Sequence, residues 1–309
     1  MRREFIASAS AIAFLVVFIG CSKKEKAAEQ AAAPAPVSMT VTDPAFQTPE
    51  SVLHDRTADV YLVSNINGDP LGKDNNGFIA RVSPDGIVLE AKWIEGGVNG
   101  VSLDAPKGMA ISDDVLYVSD IDAVRTFNRT TGAAIASWPI AGASFLNDMA
   151  TGLDGAVYVS DTGFKATPEG SGESGSDAIY RLGPNGEATA VAKDPSLGHP
   201  NGIAVGADGI VVCTFGSGEV YRLDPATGAR TDLPKPPMGQ LDGVELLTDG
   251  GFLVSSWEGS AVYRLIGMDA YGVAVDSVTS PADIGYDAQR GRVLIPLFME
   301  HKVEIREVK

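Results

Sequence analysis

One short phrase recurs six times along the chain and sets its period. The copies begin Pro49-Glu50-Ser51-Val52, Pro106-Lys107-Gly108-Met109, Leu146-Asn147-Asp148-Met149, Pro200-Asn201-Gly202-Ile203, Leu241-Asp242-Gly243-Val244 and, more weakly, Pro281-Ala282-Asp283-Ile284. Aligned on the apolar residue, one column reads Glu50, Lys107, Asn147, Asn201, Asp242, Ala282, spaced by 57, 40, 54, 41 and 40 residues. The shorter spacings match one four-stranded propeller blade. If each phrase opens the innermost strand of a blade, side chains distant in sequence ring the mouth of one channel. Glu50, Asn147, Asn201 and Asp242 then converge, and hard oxygen donors are what Ca²⁺ takes up. This ring is the expected active site.

Between the phrases the texture is uniform from residue 45 onward. Short Val/Ile/Tyr/Leu runs alternate with turn clusters, the pattern of an all-β sandwich, barrel or propeller. Second strands are expected at 60–63, 116–118, 157–159, 211–212, 252–254 and 293–295. Third strands repeat a Tyr-Arg-Leu triplet at Tyr180-Arg181-Leu182, Tyr221-Arg222-Leu223 and Tyr263-Arg264-Leu265. Turns such as Ser83-Pro84-Asp85-Gly86 and Gly183-Pro184-Asn185-Gly186 place Gly late, where positive φ is needed. No long amphipathic helix is present, which sets aside parallel β-α-β folds. Six phrases imply an all-β, six-bladed β-propeller over residues 45–309. The C-terminal run 301–308 reads as a third strand, so the last blade lacks one. The alternating stretch Val37-Ser38-Met39-Thr40-Val41, within a closing strand placed at 37–43, is expected to supply it and to remove an open edge.

The formal net charge of −16 disfavours nucleic acid as a partner. The two cysteines, Cys21 and Cys213, are too few and too distant for a disulfide framework; Cys213 reads as a buried strand thiol. The three histidines, His54, His199 and His301, share no metal-binding spacing. Gly-x-Ser-x-Gly, phosphate-binding and zinc spacings are all missing, against a serine hydrolase, a nucleotide enzyme or a zinc enzyme.

The N-terminus reads as an export signal. Arg2 and Arg3 precede an apolar stretch from Phe5 to Ile19, too short and diluted for a stable span. Cys21 directly after Gly20 resembles a bacterial lipobox, with Phe18 departing from the usual Leu; a plain cleaved signal or a retained anchor is the alternative. On this reading residues 1–20 are a lipoprotein signal peptide, and Cys21 is lipidated. Residues 21–44 form a flexible tether, whose part from Ser22 on is too charged and too Ala/Pro-rich to build a core. By resemblance to diderm lipoproteins, Ser22 beside the Cys places the protein at the outer membrane, facing the periplasm, with the lipid as its only membrane contact.

With the four phrases in order and in one column, residues 45–309 resemble the senescence-marker-protein/gluconolactonase (regucalcin-like) family, with paraoxonases and strictosidine-synthase-like proteins as more distant relatives. In that family a Glu of the first blade, an Asn of an Asn-Gly phrase and an Asp of an Asp-Gly phrase bind a divalent metal, and a further Asn lies beside metal and substrate. The resemblance carries the metal role to Glu50, Asn201 and Asp242, and the metal or substrate role to Asn147. It implies a metal-dependent hydrolase of a small-molecule lactone or ester, with Asp242 doubling as general base. Ca²⁺ comes first as the cofactor, with Mg²⁺, Mn²⁺ and Zn²⁺ as alternatives. A non-catalytic propeller binding a small ligand, glycan or protein is the rival reading.

Lys107 is the main departure. In the same column, its ammonium is placed to replace the metal, to bind an anionic substrate or to stabilise an oxyanion, and it joins Asp242 and Asn147 as a catalytic candidate; the alternative is that it bends into solvent. Ala282 offers no ligand, and Asp283 stands one position off. His199, two residues before Asn201, is either a proton shuttle or a solvated loop histidine. Asp120 and Asp161, ending second strands, face the mouth or cap turns. Two long loops, 64–77 and 161–177, return to the mouth, the second so Gly/Ser-rich that disorder is its alternative.

Overall fold

The computed structural model describes Met1, residues 37–267 and residues 269–308. The chain divides into two units, Met1–Ala35 and Pro36–Lys309. The expected signal peptide, Cys21 and most of the tether therefore lie outside the described residues. No helix among the described residues is long and apolar enough to cross a membrane.

Each repeated phrase opens, or immediately precedes, the inner strand of a four-stranded antiparallel blade. The inner strands are Pro49–Asp55, Pro106–Ser112, Leu146–Thr151, Pro200–Gly206, Leu241–Leu246 and Gly285–Asp287, and there are six such blades. The Tyr-Arg-Leu triplets sit in third strands, where the period of two sends Tyr and Leu into an interblade core and Arg to the other side. Apolar clusters fill the gaps between neighbouring blades. One joins Leu62 and Ile79 of the first blade to Met109 and Leu116 of the second; another joins Val211 of the fourth to Val254 of the fifth.

The sixth blade is completed from the other end of the chain. Ser38–Thr42 pairs antiparallel with Lys302–Glu307, with Ser38 opposite Arg306 and Thr42 opposite Lys302. Val41 enters the core with Val82 of the first blade and Val303 and Ile305 of the last. The ring of blades is thus closed by an N-terminal strand, as its alternating pattern predicts.

Near the axis the inner strands approach closely enough to require glycine. A Cβ on Gly202 would lie 2.4 Å from the Asp242 carbonyl oxygen, and one on Gly243 2.3 Å from the Ile284 nitrogen. The Asn-Gly and Asp-Gly pairs are therefore packing signals as well as site signals. A second device stitches the strands together. The Ser119 hydroxyl donates to the Asn147 carbonyl, Ser160 to that of Asn201 at 2.6 Å, the Cys213 thiol to that of Asp242 at 3.1 Å, and Ser255 to that of Ala282 at 2.9 Å. Each donor sits on a second strand and holds the column residue of the next blade. Cys213 is buried, as expected, and this bond is its structural task.

Candidate functional site

Five inner strands begin with the same irregularity. The ladder is regular at Pro49, skips two residues and resumes at Val52; it does likewise between Pro106 and Met109, Leu146 and Met149, Pro200 and Ile203, and Leu241 and Val244. The skipped pairs contain Glu50, Lys107, Asn147, Asn201 and Asp242. A bulge frees its residues from the ladder and re-aims their side chains, here at the mouth end of the channel. All five are buried.

The four oxygen-bearing side chains share a further property. Glu50 Oε2, Asn147 Oδ1, Asn201 Oδ1 and Asp242 Oδ1 are each buried without a hydrogen-bond partner. For Asn147 the amide orientation follows from its neighbour. Thr162 donates its one proton to the Pro200 carbonyl at 2.9 Å, so its oxygen receives Asn147 Nδ2 at 3.0 Å, and Oδ1 is left bare. Asn201 stands beside Asp242 and favours its anion, as does the indole of Trp257, whose buried Nε1 closes no hydrogen bond.

Burial pushes Glu50 well above the usual carboxylate range, helped by the charges of Asp242 and Asp283 and opposed by Lys107. Asp242 is pushed up by burial and then by Asp283. Leaving a buried acceptor bare costs about 1–3 kcal/mol, more for a charged one. Two carboxylates and two amide oxygens fit the donor set of a divalent cation such as Ca²⁺, which would relieve both the bare acceptors and the repulsion. Among the described residues no three His, Cys, Asp or Glu side chains cluster as a metal site; this ring has only two carboxylates and draws its other donors from amides.

Lys107 lies in the column beside the ring, close enough for the Glu50 charge to act on it. It is buried, not turned to solvent, and Nζ donates to the carbonyls of Pro70 and Ala105, each at 3.0 Å, while lying 4.4 Å from the Phe145 ring centroid. Burial pulls it down to about 8, against the opposing charges of Glu50, Asp120 and Asp69. It forms no close ion pair with the ring carboxylates. Its ammonium ties the 64–77 loop to the mouth.

Asp120 and Asp161 hold loops. Asp120 accepts from the backbone of Asp104 and Ala105 and pairs with Arg125 at 2.8 Å; Asp161 accepts from Ser144, Phe145 and Gly163. His199 has φ 60 and stacks on Phe164, with Nδ1 2.8 Å from the Thr162 carbonyl. A carbonyl only accepts, so Nδ1 carries the proton. The 161–177 loop is ordered as a hairpin, Phe164–Thr167 with Gly170–Glu173.

Asp283, set aside in the sequence as one position off, is part of the channel. It accepts from the Ser51 hydroxyl at 2.5 Å and faces Asp148, a residue of the opposite blade. Burial raises Asp283 to about 7, and burial with the Asp283 charge lifts Asp148 well above its range. Both shifts favour a proton shared between the two carboxyls. Below it lies a cavity of about 470 Å³, whose wall includes Ser51, Asp148, Asp283, Glu245 and Arg129 but no ring residue. The carboxyl pair therefore separates the ring from the cavity.

Burial lifts Glu245 to about 8, with Asp283 adding to the effect. The fold thus binds a proton that the unfolded chain, with Glu at about 4.3, releases. Its stabilising contribution is complete below about pH 4 and is lost as pH rises through about 8. The melting temperature of metal-free protein is expected to fall from about pH 5 to 8.5, with Glu50, Asp148, Asp242 and Asp283 contributing in the same direction, and Glu245→Gln to lessen that fall in part. An unchanged slope in the variant would assign the effect elsewhere.

No protein-family model matches the chain, and no curated protein matches its sequence. Solved structures match across the propeller. A gluconolactonase from Xanthomonas campestris superposes with a TM-score of 0.68 at 18% identity, covering 89% of this chain and 90% of its own. Virginiamycin B lyase from Staphylococcus aureus, solved with quinupristin, gives 0.59 at 14%, covering 89% and 100%. A luciferin-regenerating enzyme gives 0.64 at 12%, covering 88% and 95%. The likeness to gluconolactonase propellers is present at the level of the fold.

Proposed function

We propose that this protein is a metal-dependent hydrolase of a lactone or ester. The observation that carries the reading is the set of four buried side-chain oxygens, from four blades, left without partners at one end of the channel. Glu50, Asn147, Asn201 and Asp242 would hold the metal. When bound, it supplies Lewis-acid polarisation of a carbonyl and a more acidic water. Asp242, whose affinity for protons burial increases, takes the proton of the attacking water. Thr162 keeps the Asn147 oxygen aimed inward. Lys107 shapes the mouth through Pro70 and Phe145 and is not a ligand. Two of the similar structures carry gluconolactonase in their names, one outright and one by assignment alone.

The rival is a binding propeller without chemistry, favoured by the deep burial of the ring. Calcium titration separates the two in stages. Calcium is expected to raise the melting temperature of the full chain, and Glu50→Gln to remove most of the rise. Turnover of a lactone and ester panel then decides between enzyme and binder: a calcium response with no turnover leaves the binder.

We further propose that lipid on Cys21 anchors the protein in the cell envelope, with the residues between it and the closing strand Ser38–Thr42 as the tether. In a bacterial host, Cys21→Ala should move the protein from the membrane to the soluble fraction. Retention in the membrane would remove the lipid anchor.

A further inference from the structure

Above the ring of oxygens lies a collar of aromatic side chains. Phe145 packs edge-on to Phe164 at 5.8 Å between centroids, and Phe164 stacks on His199 at 4.8 Å with 19° between planes. Across the mouth, Phe215 meets Trp257 at 5.7 Å, and Trp257 meets Phe298 at 5.2 Å. The two arcs are joined. On one side Phe215 donates its backbone N–H to the His199 carbonyl at 3.0 Å. On the other, Phe298 and Leu71 pack on the same small cluster, and Lys107 links the neighbouring Pro70 to the Phe145 face.

Phe145 and His199 sit where an inner strand begins, Phe215, Trp257 and Phe298 where a second strand ends, and Phe164 opens the hairpin of the 161–177 loop, so four blades contribute to one wall. All six are half-buried, whereas the ring beneath is buried. Aromatic side chains with a free face in such a place are not needed for the interblade cores, which are filled from other positions. Phe145 and Trp257 adjoin the strand ends that carry Asn147 and Asp242, so a ligand approaching from the mouth meets these rings.

We infer that the collar selects a neutral lactone or ester with an apolar or aromatic body, and discriminates against polyhydroxylated sugar lactones and anions. The inference rests on the hydrolase reading and specifies its substrate. Hydroxyl groups entering the collar would trade water for ring faces. Anions would meet the Glu173 carboxylate near His199, while the Lys107 ammonium is already bound by two carbonyls. In the reaction, the oxygen of water adds to the carbonyl carbon and the carbonyl-to-ring-oxygen bond breaks. The departing oxygen takes up a proton, giving a hydroxy acid.

The test uses the full chain with calcium. Its kcat/KM for dihydrocoumarin and δ-dodecalactone should exceed that for D-glucono-1,5-lactone by about tenfold or more. Phe164→Ala and Phe298→Ala, on opposite arcs, should each erase most of that preference through KM while keeping the calcium-induced rise in melting temperature, which shows that they fold. Equal or better turnover of the gluconolactone, or a preference that survives both variants, would overturn the inference and leave the hydrolase reading in place. If no compound is hydrolysed, calorimetry with the corresponding lactams decides. Collar-dependent binding of the apolar lactam alone keeps the selectivity and removes the hydrolysis; binding of neither, or of both equally, overturns the selectivity as well.

Discussion

Asp242→Asn is expected to lower lactone or ester turnover about 10³-fold and to abolish the calcium-induced rise in melting temperature. The first effect follows from loss of the proton acceptor, worth about 10²–10⁴-fold in general base catalysis. The second follows because the ring has only two carboxylates, and removing one halves its negative charge. Stability of the metal-free protein points the other way. Burial and Asp283 already favour the protonated, neutral form of Asp242, and Asn resembles that form in shape and charge. Its melting temperature without calcium should therefore equal or slightly exceed that of the unmodified chain. This separation of stability from activity marks a site residue, since a structural residue would lower both. A variant with full turnover would remove Asp242 from the mechanism.

Removing residues 37–44 is expected to lower the melting temperature by about 10 °C. The deleted strand carries buried Val41 and its ladder to Lys302–Glu307, and Ser38 receives a hydrogen bond from Arg306. Burial of one Val contributes about 1.5–3 kcal/mol, and the lost pairing brings the total to about 3–5 kcal/mol after the entropy of ordering the strand is offset. At about 2–4 °C per kcal/mol for a domain of this size, a fall near 10 °C follows. The newly exposed edge should also make the truncated protein associate with increasing concentration. An unchanged melting temperature would mean that the blade closes without this strand.

Much of this architecture was readable because the repeat is written in residue types that physics restricts. Gly202 and Gly243 follow column residues where adjacent inner strands leave no room for a Cβ, and the Tyr-Arg-Leu triplets report the period of two. The closing strand could be inferred from a deficit of one strand at the C-terminus and an alternating run ahead of the first phrase. Other features depend on contacts with no sequence periodicity. The bulge that turns Glu50, Asn147, Asn201 and Asp242 toward the axis shows only in the strand register. Asp148 and Asp283 meet because they lie on opposite blades, and their spacing conceals that relation. The hydrogen-bond partners of Lys107 are main-chain carbonyls, which carry no side-chain signature. The collar draws its rings from separate loops.

One missed feature had left a trace. The second strands end Val63-Ser64-Asn65, Val118-Ser119-Asp120, Val159-Ser160-Asp161, Val212-Cys213-Thr214 and Val254-Ser255-Ser256. A small donor recurring at one position of a buried strand marks a repeated hydrogen bond, and Ser119, Ser160, Cys213 and Ser255 use it to hold the column residue of the following blade. Cys213, read alone as a core thiol, belongs to that series.

The central claim is that side-chain oxygens from four blades hold a single divalent ion. An anomalous difference map from crystals grown with Mn²⁺ in place of Ca²⁺ tests it most directly. The account predicts one strong peak at the channel mouth, within about 2.6 Å of oxygens of Glu50, Asn147, Asn201 and Asp242. No peak there at saturating Mn²⁺, or a peak only in the lower cavity beside Glu245, would contradict it.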